Sequence, residues 1–170
     1  MEYLYKPSEL ERYISDMYKK IGIIYPSQLD EEYIARKFNI EIIYTRWGSF
    51  CNYSDDFQLI SLHKDLRFNP IRRREVFFHE LGHLLRHAGD QTNMSFSFRD
   101  FQESQARRFT LFAAIPHHML RYIDFSQKRD YVLYEMQETF RISKQICSER
   151  LDYIENRMLN EKLEFIYERY

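Results

Sequence analysis

Five consecutive residues, His79-Glu80-Leu81-Gly82-His83, combine two imidazoles four positions apart with a carboxylate directly after the first. On an α-helix, positions four apart face the same way about one turn apart, so both imidazoles can be aimed at a single metal ion. Glu80 falls one step round the helix, beside that ion and outside its ligand set, which is where a general base for an activated water must stand. The chemistry of such an arrangement is metal-assisted hydrolysis: zinc lowers the pKa of its water toward about 7, Glu80 takes the proton, and the attacked carbonyl is polarised by the ion.

The surroundings predict that this motif is helical. Asn69-Pro70 supplies a preferred N-cap followed by proline at the first helical position, and Ala88-Gly89 supplies a stop after His87. Val76, Phe77, Leu81, Leu84 and Leu85 give the helix a broad apolar face in which the histidines are embedded. Gly82 costs roughly 1 kcal/mol against alanine inside a helix, so something is expected to pack closely there. The competing reading is an ordinary amphipathic helix with two part-buried histidines.

Two histidines need a third protein ligand, with water in the fourth place. The nearby acids are Glu75, Asp90, Asp100 and Glu103. Glu75 lies on the same helix, where three ligands would be strung along the axis instead of gathered round one ion. Asp90 follows the helix-stopping Gly89 in a polar loop. Glu103 begins a helical face continued by Ala106 and Arg107, and the small Ala106 would let that helix approach at Gly82. Asp100-Phe101-Gln102-Glu103 also has the form of a capping box, in which Glu103 would merely satisfy a backbone N–H.

The 170 residues, 44% hydrophobic with 14 Phe, 14 Tyr and only 4 Gly, predict one mainly helical domain with bulky packing. A net charge of −1 provides no field for nucleic acid or an anionic membrane. Arg72-Arg73-Arg74, the one basic cluster, lies near a helix N-terminus and reads as a solvated turn. Cys51 and Cys147 lack metal or redox spacing, and neither a signal peptide nor a membrane-length apolar run is evident, so the expectation is a cytoplasmic protein.

A capping box at Ser8 to Glu11 starts a first helix that runs to Gly22, and a second helix is expected from Pro26-Ser27 to Asn39. Residues 40–47, 49–53 and 57–62 read as three strands of a small antiparallel sheet whose exposed edge could hold an extended peptide. A helix from about Asp100 to Pro116, a short one after Pro116, one over 129–140 and a last one capped by Ser143 complete an α+β fold. Residues 140–151 have the outline of a DNA-reading helix-turn-helix, but without excess positive charge the last helix reads as packing. His117, His118, Tyr122 and Tyr53 are candidate oxyanion donors; His87 could stand behind the ligands but reads better as an exposed histidine at the helix end, where its cation meets a favourable dipole. Tyr53 and His63, near strand ends, could also face the site.

Taken together, His79-Glu-Leu-Gly-His-Leu-Leu-Arg-His-Ala-Gly89 and Glu103-Ser-Gln-Ala-Arg-Arg-Phe109, closing at Pro116, resemble the ImmA/IrrE family of metallopeptidases, nearest its ImmA branch from phages and integrative elements. The resemblance covers most of the chain. It implies a zincin-like domain with His79, His83 and Glu103 as zinc ligands and Glu80 as catalytic base. It also implies a protein substrate, a helix-turn-helix transcriptional repressor that an anti-repressor of this kind cleaves. The chain departs from the family pattern at Arg107, Thr110 and Ala114-Ile115, changes that bear on helix packing. A second function class, a non-hydrolytic repressor-binding or sensor protein with a structural metal, is disfavoured by a three-ligand site left open to water.

Overall fold

The computed structural model describes residues 5–54, 57–86 and 96–167. In chain order it consists of α1 (Glu9–Lys20), a 3-10 turn (Pro26–Gln28), α2 (Glu31–Lys37), β1 (Ile40–Thr45), β2 (Phe50–Tyr53) and β3 (Gln58–His63). A 3-10 turn (Lys64–Phe68), α3 (Pro70–Arg86), α4 (Phe96–Ala114), a third 3-10 turn (His117–Tyr122), α5 (Arg129–Phe140) and α6 (Lys144–Tyr167) follow. This is the mainly helical α+β domain with a small three-stranded sheet that the patterning predicts.

The local rules act where expected at α1. Ser8 Oγ accepts from the Glu11 N–H at 3.3 Å while the Glu11 carboxylate accepts from the Ser8 N–H at 2.8 Å, closing the capping box. The second helix starts later than expected. Gln28 turns its side-chain oxygen back onto the N–H groups of Ile24 and Tyr25, which closes Pro26–Gln28 as a separate turn. Asp30 then caps α2 by accepting from the Tyr33 N–H at 2.7 Å.

The sheet is mixed, not wholly antiparallel. Its order is β1-β3-β2, with β2 antiparallel to β3 from Phe50↔Ser61 to Tyr53↔Gln58 and β1 parallel to β3 from Ile40↔Gln58 to Thr45↔His63. The link between β1 and β2 passes over the end of β3 at Gly48, whose φ of +104° suits glycine. There Ser61 Oγ and Thr45 Oγ1 both donate to the Gly48 carbonyl at 3.4 Å, and Ser49 Oγ accepts from the His63 N–H at 3.0 Å. β3 thus enters between strands that adjoin in sequence, and β2 is left as an edge beside α3.

Asn69 caps α3 by accepting from the Arg72 N–H at 3.0 Å, and proline takes the first helical position. Phe77, Phe78 and Leu81 carry α3 into the core, where α4 lies against it with Ala106, Phe109, Phe112 and Ala113 fully covered. The C-terminal signal at Ala88-Gly89 and His87 fall outside the described residues.

The close approach expected at Gly82 is made by Phe109: a Cβ on Gly82 would stand 3.1 Å from Phe109 Cβ and Cδ1. Because Phe109 is fully buried and its Cβ is fixed to the α4 backbone, the two helices would have to separate. Overpacking of this kind costs about 1–3 kcal/mol, against about 1 kcal/mol gained in helix propensity. Gly82→Ala is therefore expected to lower unfolding free energy by about 1 kcal/mol, read from urea midpoints at constant slope.

The arginine run is not a solvated turn. Arg74 donates from Nη1 to the Phe140 carbonyl at 2.8 Å and from Nη2 to the Leu29 carbonyl at 2.6 Å, with Glu31 at 3.4 Å from Nε. It closes the C-terminal end of α5, where Arg141 turns left-handed and leaves helix carbonyls open. Arg72 instead pairs with Glu75 at 2.8 Å. Beyond Arg141, Ile142, Ile146, Cys147, Arg150 and Leu151 are buried, so the first turns of α6 pack against the domain.

A buried ion pair joins the two ends of the chain. Arg150, fully buried, donates from Nη2 to Glu11 Oε1 at 2.7 Å and from Nε to the Ile115 carbonyl at 3.2 Å, and the Tyr5 hydroxyl donates to Glu11. Burial pushes the Glu11 carboxyl upward, but the Arg150 guanidinium, with bonds from Tyr5 and the Ser8 backbone, holds it below the usual carboxylate range. Since the folded value lies below the unfolded one, this stabilisation is complete above the unfolded pKa of about 4.3 and is lost as pH falls through the folded value. Glu11→Gln is expected to cost about 3–5 kcal/mol near neutrality by stranding the Arg150 charge. It should also flatten the acid limb of stability against pH, compared with the parent chain by denaturant unfolding from pH 6 downward.

Candidate metal centre

Three side chains from two helices converge beside the sheet edge. His79 and His83, one turn apart on α3, bring their Nε2 atoms to 3.1 Å from each other. Glu103 enters from α4 and places Oε2 3.3 Å from His79 Nε2 and Oε1 3.3 Å from His83 Nε2. One ligand atom from each lies within 4.8 Å of the other two, so the set can hold a metal ion. Two imidazole nitrogens and a carboxylate oxygen form a donor set that suits zinc.

The three donors differ in exposure and in charge. His83 is buried, whereas Glu103 is 48% exposed, so the cluster opens to solvent on the α4 side. Burial holds the His79 imidazole below its usual pKa, against the opposing pull of Glu103, and the charges of Arg72 and Arg107 lower it further. A neutral imidazole is the form that ligates.

Glu80 sits buried next to His79 on α3, toward β2. Burial first, and then the neighbouring Glu103 charge, push its carboxyl up to about 7, with a backbone hydrogen bond from Cys51 on β2 acting the other way. Such a carboxylate can take up and give back a proton near neutrality.

The capping role for Glu103 fails on geometry. α4 begins at Phe96, a full turn before Asp100, so Asp100 is an exposed residue within the helix and no capping box exists there. Glu75 points elsewhere, accepting from Arg72 and from the Ser143 N–H at 3.2 Å. Asp90 lies outside the described residues.

A cleft of about 670 Å³ runs past the cluster, walled by Arg72, Val76, His79 and Glu80 on one side, by Glu103, Arg107 and Thr110 on another, and closed by Ser49 and Ile146. Several expected neighbours are not there. His117 Nε2 lies 3.3 Å from the Tyr5 carbonyl and His118 Nε2 3.3 Å from the Ile23 carbonyl, on the α1 side. Tyr122 packs at a tilt against Tyr25, ring centroids 5.9 Å apart. Tyr53 and His63 end their strands without lining the cleft.

The residues that sequence reasoning missed are Arg72 and Arg107. Their spacing carried the signal: Arg72 is seven positions before His79 and Arg107 four after Glu103, so each shares a helix face with a cluster residue. Arg107, a departure from the family pattern, meets Glu149 of α6 in a bidentate pair at the cleft. The other departures fit the packing: Thr110 donates to the Ala106 carbonyl at 2.9 Å, and Ala114 and Ile115 are fully buried.

Known proteins are similar to this chain. Residues 29–152 match the sequence model of peptidase family M78, described as the IrrE N-terminal-like domain. The chain is 33% identical over 150 residues to the phage-like element PBSX protein XkdA of Bacillus subtilis (strain 168), a match that covers 88% of this chain and 75% of that protein. It is 31% identical over 147 residues to the uncharacterized protein YqaB of the same strain, covering 86% and 84%. With both histidines, the intervening glutamate and Glu103 inside the matched span, the chain belongs to peptidase family M78, the IrrE N-terminal-like family.

Proposed function

We propose that this protein is a zinc-dependent endopeptidase in which His79, His83 and Glu103 hold the metal and Glu80 is the general base. The observation that carries the reading is the open cleft beside a three-donor cluster with Glu80 in its wall, since a structural zinc would be closed by four protein ligands. When bound, zinc supplies Lewis acidity, acidifying water and polarising a carbonyl. Glu80 accepts a proton from the attacking water and returns it to the amine nitrogen as the C–N bond breaks. The edge of β2, next to Glu80, is suited to hold an extended substrate by backbone pairing.

The substrate proposed is a helix-turn-helix transcriptional repressor of a phage or integrative element, cleaved in the cytoplasm by this chain as anti-repressor. The likeness to a protein named for a phage-like element supports that choice, as does a net charge of −1, which gives the chain itself no attraction for DNA. No helix among the described residues is long and apolar enough to cross a membrane.

The test combines metal analysis with co-expression beside candidate helix-turn-helix repressors. About one zinc per chain and new repressor fragments are expected. Stoichiometric zinc with an intact repressor in stable complex would favour the non-hydrolytic reading instead. Zinc-dependent cleavage of other proteins alone would remove the repressor and keep the peptidase.

A further inference from the structure

Peptide hydrolysis places negative charge on the carbonyl oxygen as water adds, and a donor aimed at that oxygen is commonly worth about 100- to 1,000-fold in rate. The candidate donors named from sequence, His117, His118, Tyr122 and Tyr53, are turned to α1 or stand away from the cleft. We propose that Arg107 is this oxyanion donor and that Glu149 is its positioning residue, an assignment that rests on the metallopeptidase reading above.

Arg107 lies one turn beyond Glu103 on α4 and lines the same cleft as His79 and Glu80. Its Nε donates to Glu149 Oε2 at 3.1 Å and its Nη2 to Glu149 Oε1. This two-point grip leaves Nη1 without a hydrogen-bond partner among the described residues, while the side chain stays 57% exposed. A guanidinium gripped along one edge by a carboxylate has already lost its rotamer freedom and presents the remaining N–H groups in a fixed direction.

The other donors in the cleft are committed or carry no charge. Thr110 donates to its own helix, and the neutral hydroxyls of Ser49 and Ser104, which also line the cleft, bring an oxyanion a weaker bond than a guanidinium does. Arg72 spends Nη1 on Glu75 and lies two turns toward the α3 N-terminus from His79, about 10 Å along the axis. In the reaction, the water oxygen bonds to the carbonyl carbon and the C=O π pair moves onto oxygen, where Nη1–H of Arg107 meets it. On collapse the pair re-forms C=O, the C–N bond breaks, and the amine leaves with the proton carried by Glu80.

The test titrates zinc-loaded protein with two metal-seeking probes, N-phosphoryl-leucinamide, a tetrahedral anion, and acetohydroxamate, a planar chelator that does not copy the oxyanion. Arg107→Met is expected to weaken the phosphoryl probe about 100-fold while hydroxamate affinity and zinc content stay unchanged. Glu149→Gln, which keeps Arg107 in place but loosens its grip, should weaken the phosphoryl probe alone and by less. Equal affinity of parent and zinc-loaded Arg107→Met protein for the phosphoryl probe overturns the assignment, as does parallel weakening of both probes. An Arg107→Met chain that fails to fold leaves Glu149→Gln to decide, and no selective loss there overturns it as well. A parent chain that takes up no zinc sinks the metallopeptidase reading and this assignment with it; a parent that binds zinc and cleaves, with insensitive variants, sinks this assignment alone.

Discussion

Glu80→Gln is expected to abolish proteolysis while zinc content and repressor binding stay near those of the parent. The substitution keeps size and polarity but removes the group that accepts the proton of water. General-base catalysis contributes about 100- to 10,000-fold, so cleavage in a single-turnover assay should fall by roughly a thousandfold. Glu80 is 8% exposed and is gripped from β2, so a neutral amide of the same shape fits without leaving a buried charge. Undiminished cleavage by a zinc-loaded Gln variant would sink the proposed mechanism. The non-hydrolytic alternative forecasts the reverse, with function surviving the change.

The second large effect concerns Glu103. Removing its carboxylate leaves two imidazoles on one helix and no donor from α4, so Glu103→Ala should lower zinc affinity by at least about 100-fold, more than is usual for losing a partner behind a ligand. The fold should persist, because Glu103 is half exposed and contributes nothing to the buried face of α4. Asp100→Ala is the control. From sequence it reads as an N-cap whose loss costs about 1 kcal/mol, but inside α4 and exposed it should change stability by less than about 0.5 kcal/mol. Zinc retained in full by a folded Glu103→Ala protein, measured by competition with a chelator, would show that the ligand has been misassigned.

What sequence disclosed here followed local rules. The α3 start at Asn69-Pro70, the α1 capping box and the two-histidine spacing each depend on residues within a turn or two of one another, and each stands where those rules put it. The approach at Gly82 was legible as a cost needing a cause, though its cause is Phe109 instead of the small Ala106. Strand pairing was not legible, because β3 inserts between β1 and β2 through contacts at Gly48 and Ser49 that no strand pattern encodes. Arg74 misled for a similar reason: its carbonyl partners at Leu29 and Phe140 are 45 and 66 positions away. At the site itself, helical spacing brought His79, Glu80 and His83 to one place, whereas Glu149 enters from α6, 42 positions after Arg107.

The pairing of Glu11 with Arg150 spans 139 positions and sets a timetable for biosynthesis. A nascent chain that has emerged as far as Arg86 carries the two-histidine motif but lacks Glu103, and one that ends at Ala114 lacks Ile146, Glu149 and Arg150. At about 5–20 residues per second, α6 follows α4 by a few seconds. During that interval the cleft has no α6 wall, and the N-terminal segment around Tyr5 has no cation to fold upon. A translation stop before residue 146 therefore yields a product that carries the metal-seeking motif but lacks the α6 side of the cleft, so the chain completes its metal-binding residues before it completes the wall beside them.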